Sequence, residues 1–265
     1  MFFLKVREML LVVDFGNTNV VFAVCEGSDI KGSWRCASDT KRTADEYAVW
    51  LTQLMSLEGI DPGAITGAIV ATVVPQALFN IETLCKRYFK ATPLIVGADN
   101  VTLGFEVLID RPAQVGADRL ATAVAAYKKF SGPLIVIDFG TATTFEVVDA
   151  DGNYRGGVIA PGINLSAEAL HMASAQLPRI DIRRTDEIVG KTTTAAMRSG
   201  IFWGYIGMIE GLVTRIKAEC DVAMTVVATG GLAPLFAEST DMIDETDSTL
   251  TICGLVEIYE RNKPS

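Results

Sequence analysis

The sequence predicts an α/β fold made of two similar lobes, and two observations carry that expectation. The first is a repeat. Leu11-Val12-Val13-Asp14-Phe15-Gly16 is followed by Asn17-Thr18-Asn19 and the apolar run Val20-Val21-Phe22-Ala23-Val24. Much later, Ile135-Val136-Ile137-Asp138-Phe139-Gly140 is followed by Thr141-Ala142-Thr143-Thr144 and Phe145-Glu146-Val147-Val148. Each unit reads as strand, tight turn, strand. One such unit alone reads as an ordinary hairpin, because Asp and Gly are common turn residues. Two copies with the same Asp-Phe-Gly core imply two related lobes. The second observation is that strand-like and helix-like segments alternate along the chain, the pattern of an α/β protein.

The elements follow in order. Residues 44–58 have helical spacing, with Tyr47, Leu51, Leu54 and Met55 apolar. Ala68 to Val74 reads as a buried strand stopped by Pro75, residues 76–89 as a helix and Leu94-Ile95-Val96 as a strand. In the second half, residues 118–130 and 193–219 read as helices, and Thr225 to Thr229 as a buried strand entering the Gly230-Gly231 turn. These segments divide the chain into an N-terminal extension (1–8), a first lobe (9–115) and a second lobe (116–265). The long helix carries Gly200, Gly204, Gly207 and Gly211 on one face, each costing about 1 kcal/mol against alanine. A glycine face permits close backbone approach to another helix of the lobe or to a second subunit, and a dimer interface is the preferred reading.

Composition narrows the function. The chain has 265 residues, 49% of them hydrophobic, enough for a sizeable core. Mean hydropathy is slightly positive, yet no run approaches the ~20 apolar residues of a spanning helix. No membrane role is expected, and residues 1–8 lack the cleavage site of a leader. A net charge of −9 argues against a nucleic-acid footprint but leaves room for a small anionic substrate held by backbone amides. Five cysteines, none spaced as CxxC, suggest neither a disulfide framework nor a zinc site, and fit a cytoplasmic protein with reduced thiols. With His171 the only histidine, chemistry must rest on carboxylates, hydroxyls, backbone amides and bound ions. His171 itself reads as a packed or capping residue, and Trp34, Trp50 and Trp203 as core or interface anchors.

Asp14 to Asn19 places a carboxylate at a strand end, then a glycine, then hydrogen-bonding side chains. Glycine lets a ligand approach the backbone, successive turn amides cradle phosphate, and Asp14 can orient Mg²⁺ through water. Asp138, Gly140, Thr141 and Thr143 form the second copy. Gly230-Gly231 offers a further backbone approach or is simply a turn. Asp118, taken alone, reads as the cap or first-turn acid of a helix. Gly190-Lys191-Thr192 is not a P-loop: the earlier glycine such a loop needs is Thr185, and no strand leads into it.

Two Asp-x-Gly hairpins and a later Thr-Gly-Gly resemble the actin and sugar-kinase superfamily. The match to type III pantothenate kinase is closer. That family is similar in Asp14, Gly16, Asn17 and Thr18, in Gly116-Ala117-Asp118-Arg119, in the segment from Asp138 to Thr144, in the Gly-Gly-x-Ile-x-Pro-Gly of residues 156–162, and in Gly190, Lys191 and Thr193. The resemblance implies duplicated actin-like (ribonuclease-H-like) lobes with a nucleotide cleft between them. It implies ATP-dependent phosphorylation of pantothenate in coenzyme A biosynthesis, by a homodimer using Mg²⁺ and a monovalent cation, K⁺ or NH₄⁺. Asp118 would be the general base. Gly116, Ala117, Asp118, Arg119 and Thr193 would bind pantothenate, Arg119 through its carboxylate. Asp14, Phe15, Gly16, Asn17, Thr18, Asn19 and Thr141 would bind ATP, and Asp138 the monovalent cation. Where the family often has an aromatic residue upstream of Gly116, this chain has Ile109. Two other readings remain: an accessory regulator of gene expression with this fold, which would not need Asp14, Asp118 and Asp138 intact, and a kinase of a sugar or another carboxylic acid.

Overall fold

The structure, a computed structural model, describes residues 8–174 and 176–263. The expected N-terminal extension lies outside the described residues, apart from Glu8. The chain forms two compact units. The first contains the described residues up to Gly104, then Arg111–Ala125 and the described residues from Leu250 onward; the second contains Phe105–Asp110 and Ala126–Thr249.

The first unit is built on β1 (Met9–Phe15), β2 (Asn19–Glu26), β3 (Asp29–Ala37), β4 (Ile65–Thr72) and β5 (Pro93–Ile95). Their order is β3-β2-β1-β4-β5. β2 pairs antiparallel with β1 and β3, while β1, β4 and β5 run parallel. Side chains alternate across β1. Leu11, Val13 and Phe15 enter a core with α1 (Ala44–Leu57) and α2 (Leu78–Tyr88), represented there by Tyr47, Leu51, Met55, Ile81 and Leu84. The start of α1 is set by a capping box, in which Thr43 and Glu46 each accept the other's backbone amide. Leu10, Val12 and Asp14 therefore face the other side of the sheet.

That other side is covered by an element the sequence reading omits. Helix α7 (Leu250–Asn262) packs on β1 and β4. At Gly67 of β4 the space a Cβ would need is taken by the Tyr259 ring. Helix α3 (Ala117–Phe130) meets α7 backbone to backbone, since a Cβ on Gly254 would overlap the Ala121 carbonyl. The Thr122 and Thr251 hydroxyls, 2.9 Å apart, link the same two helices. A mid-helix glycine weakens α7 by about 1 kcal/mol as an isolated helix, and here that glycine permits the contact that holds α3.

The second unit repeats the plan with β6 (Leu134–Phe139), β7 (Ala142–Val148), β8 (Tyr154–Pro161), β9 (Thr225–Thr229) and β10 (Glu245–Thr246), ordered β10-β9-β6-β7-β8. Again the first strand is central, antiparallel to the hairpin strand on one side and parallel to the strand on the other. Ile135, Ile137 and Phe139 enter the core with Phe202, Ile206 and Ile209 of α5 (Thr193–Cys220) and Phe236 of α6 (Ala233–Ala237). Asp138 consequently occupies in β6 the place Asp14 occupies in β1, next to last and facing away from that core. The repeated Asp-Phe-Gly is thus a repeat of topology as well as of sequence. The remaining α-helix, α4 (Ile163–Met172), precedes a segment whose described residues form no strand and which leads to α5.

Candidate active site

The β1–β2 turn is small and closed on itself. The Gly16 amide donates to the Asn19 carbonyl at 3.0 Å, and a Cβ at Gly16 would stand 3.1 Å from that oxygen. Asn17, Thr18 and Asn19 are exposed, and Asp14 is half-buried at the strand end. Phe15 is only 1% exposed, so its side chain belongs to the core and only its backbone is available to a ligand. Its carbonyl accepts the Val73 amide at 3.2 Å.

Val73 connects this turn to the start of α3. A Cβ on Gly116 would lie 3.2 Å from Val73 Cγ1 and only 2.5 Å from Asp118 Oδ1. Any side chain at 116 would therefore displace the Asp118 carboxylate. That carboxylate sits in the first turn of α3, where Oδ1 accepts the Arg119 amide at 2.8 Å, and the helix's positive end favours a negative charge there. Gly116 supplies the first helical acceptor, taking the Leu120 amide at 3.2 Å. Ala117 is buried, while Asp118 and Arg119 are half-buried. The first unit thus brings the Asp14–Asn19 turn and the Gly116–Arg119 turn to the carboxyl ends of β1 and β4, the end at which open α/β sheets bind ligands.

The second unit assembles Asp138, Thr141 and four glycines. The Gly140 amide donates to the Ala142 carbonyl at 3.1 Å, closing the turn that exposes Thr141. The Gly162 amide donates to the Thr141 carbonyl at 3.2 Å, and a Cβ at 162 would overlap that oxygen. A Cβ on Gly157 would overlap the Phe145 carbonyl in the same way. Two glycines of the 156–162 motif are therefore close-packing positions, Gly157 between β7 and β8 and Gly162 against the β6–β7 turn. Beside Asp138 lies Gly230, at φ +91°, where a Cβ would stand 2.9 Å from Asp138 Oδ1 and 2.7 Å from the Phe139 carbonyl. Across the ladder from Asp138 is Thr144, whose buried hydroxyl has no hydrogen-bond partner. The neighbouring Thr143 hydroxyl is engaged, 2.8 Å from that of Tyr205.

The Asp138 carboxylate and, across the ladder, the unpartnered Thr144 hydroxyl are hard oxygens of the kind a cation takes. Thr144 closes the Asp138–Thr144 motif of the resemblance, but its β-branched side chain by itself reads as that of any strand residue. Thr193 opens α5 and is exposed, while Thr192 caps that helix by accepting the Ala195 amide at 3.1 Å. Gly190 packs against the helix start at Ala195 and Ala196. No strand precedes it among the described residues of the α4–α5 segment, in keeping with the rejected P-loop. His171 Nδ1 lies 2.6 Å from the Leu177 carbonyl, a packing role. The tryptophans are anchors: Trp34 Nε1 donates to Glu58 at 2.8 Å and Trp203 Nε1 to Thr185 at 3.0 Å, while Trp50 packs edge-on to Phe22.

Known proteins place this arrangement. Among solved structures, the ethanolamine utilization protein EutJ from Carboxydothermus hydrogenoformans superposes with a TM-score of 0.56 at 15% identity, covering 94% of this chain and 88% of that one. The activator of 2-hydroxyisocaproyl-CoA dehydratase from Clostridium difficile, solved with bound ADPNP, gives 0.52 at 13% identity, covering 96% and 95%. At such identities the likeness speaks to the fold alone, duplicated actin-like lobes. Sequence relatives go further. The type III pantothenate kinase of Paramagnetospirillum magneticum is 61% identical over 96% of this chain and 98% of its own length. That of Rhodospirillum rubrum is 59% identical over 97% of this chain and 100% of its own. The model of the type III pantothenate kinase family matches residues 10–215. The chain belongs to the type III pantothenate kinase family.

Proposed function

We propose that this chain transfers the terminal phosphoryl group of ATP to the primary hydroxyl of pantothenate, giving 4'-phosphopantothenate, the opening step of coenzyme A biosynthesis. The observation that carries the reading is the Asp118 carboxylate, held in the first turn of α3 over a position that must be glycine. Asp118 takes the proton of the attacking hydroxyl as general base. Arg119 pairs with the pantothenate carboxylate, and the Gly116–Ala117 backbone lines the same pocket. The Asp14–Asn19 turn binds the ATP phosphates through its amides, and Thr141 is a further ATP-binding residue. Phosphoryl transfer asks the protein for in-line positioning and charge neutralisation rather than covalent chemistry.

Asp14 would hold Mg²⁺ through water, and bound Mg²⁺ supplies charge neutralisation on the phosphates. Asp138 and the Thr144 hydroxyl would hold the monovalent cation, K⁺ or NH₄⁺, in the space left by Gly230. The assay is ATP-dependent phosphorylation of pantothenate with Mg²⁺, with and without K⁺. Cation-stimulated turnover is expected. Absence of turnover by folded, ATP-binding protein would overturn the reading in favour of another hydroxy acid or an accessory regulator.

The working species is a homodimer, with Thr193 contributing to the pantothenate pocket of the paired subunit. Support comes from the glycine face of α5: a Cβ on Gly200, Gly204 or Gly207 would meet no atom within 4 Å. The same unit exposes Ile188 and Val189 in the segment before α5, at 67% and 80%. Gly204→Arg should raise helix propensity by about 1 kcal/mol while blocking close approach to a second copy. Analytical ultracentrifugation should show a folded monomer for the variant and a dimer for the native protein; a native monomer would sink the proposal. Among the described residues no helix is long and apolar enough to cross a membrane.

A further inference from the structure

We infer that Ser38 is a positioning residue for the phosphate-binding turn; the inference rests on the reading of Asp14–Asn19 as the ATP site. Ser38 follows the last residue of β3 and touches the turn at two points. Its hydroxyl donates to the Gly16 carbonyl, and its amide donates to the Thr18 carbonyl at 2.9 Å. Two further carbonyls of this region are also engaged, Phe15 by the Val73 amide and Asn19 by the Gly16 amide. Ser38 thus completes a pattern in which the carbonyls of Phe15, Gly16, Thr18 and Asn19 are all turned toward the protein.

The consequence is electrostatic. A trans peptide points its C=O and the following N–H in opposite directions. Capture of the Gly16 carbonyl by Ser38 therefore turns the Asn17 amide away from Ser38, on an exposed stretch of turn. An anion meeting the turn at Asn17 finds an amide hydrogen rather than the Gly16 carbonyl oxygen, the polarity a phosphate requires. Glycine at 16 makes the turn accessible and also lets its peptide rotate freely. Ser38 removes that freedom before ATP arrives, so less ordering cost falls on binding.

The test compares native protein, Ser38→Ala and Ser38→Thr by steady-state kinetics, with Gly16→Val as a control on the turn. Ser38→Ala should raise KM for ATP about five- to tenfold, the scale of one hydrogen bond. The KM for pantothenate and the melting temperature should stay near native, and Ser38→Thr, which restores the hydroxyl, should recover the ATP KM. An unchanged ATP KM in Ser38→Ala, alongside a raised one in Gly16→Val, overturns the role of Ser38 and leaves the turn as the ATP site. An unchanged ATP KM in Gly16→Val overturns the turn assignment itself, and the inference with it. Equal losses in kcat, both KM values and melting temperature would show a merely structural serine.

Discussion

Asp118→Asn is expected to lower kcat by about 10²- to 10⁴-fold while leaving ATP affinity intact, the range a positioned general base contributes. The substitution isolates the chemistry because asparagine keeps the shape and the Oδ1 acceptor that takes the Arg119 amide. The first turn of α3 therefore stays capped, and the contacts of α3 with α7 lie a turn further along, at Ala121 and Thr122. What is lost is the negative charge and the capacity to accept a proton. Single-turnover kinetics with pantothenate, and calorimetric titration with a non-hydrolysable ATP analogue, separate the two effects. A kcat within tenfold of native would remove Asp118 from the role of base and leave it as a helix-start acid, the reading its position alone allows.

The two lobes were legible because their signal is local and doubled. β-branched runs followed by Asp-Phe-Gly identify β1 and β6, and the helices over 44–58, 118–130 and 193–219 appear with ends shifted by no more than a residue or so. The carboxylates were legible for the same reason, since Asp14 and Asp138 sit at repeated strand ends and Asp118 at a helix start. What the sequence conceals is whatever depends on contact between distant segments. Helix α7 carries Gly254 at its middle and β-branched Thr251 and Ile252 nearby, so its local helix preference is weak. Its stability comes from packing on β1, β4 and α3, and that partnership has no sequence signature. Ser38 reads as an ordinary loop serine until β3 brings it beside the Gly16 turn. Gly230 reads as turn punctuation until β9 sets it against Asp138.

That last contact makes Gly230→Ala the second variant with a large expected effect. Alanine at φ +91° is strained, and its Cβ would crowd the Phe139 carbonyl and Asp138 Oδ1 together. The Phe139 carbonyl is backbone and cannot swing aside, so the Asp138 carboxylate must move. The fold should lose about 1–3 kcal/mol. If Asp138 holds the monovalent cation, K⁺ stimulation of turnover should disappear along with the rise in melting temperature that K⁺ gives the native protein over a tetraalkylammonium salt at equal ionic strength. Thr144→Val separates cation loss from backbone strain. It removes a buried hydroxyl with no protein partner, so without K⁺ the variant should be at least as stable as native. With K⁺ it should gain less than native, because the cation has lost an oxygen ligand. A smaller K⁺ increment with no loss of stability in the K⁺-free salt is what a cation site requires. A Thr144→Val protein that keeps the full K⁺ response would exclude that hydroxyl from the site, and a Gly230→Ala protein that keeps it would move the cation away from Asp138 altogether.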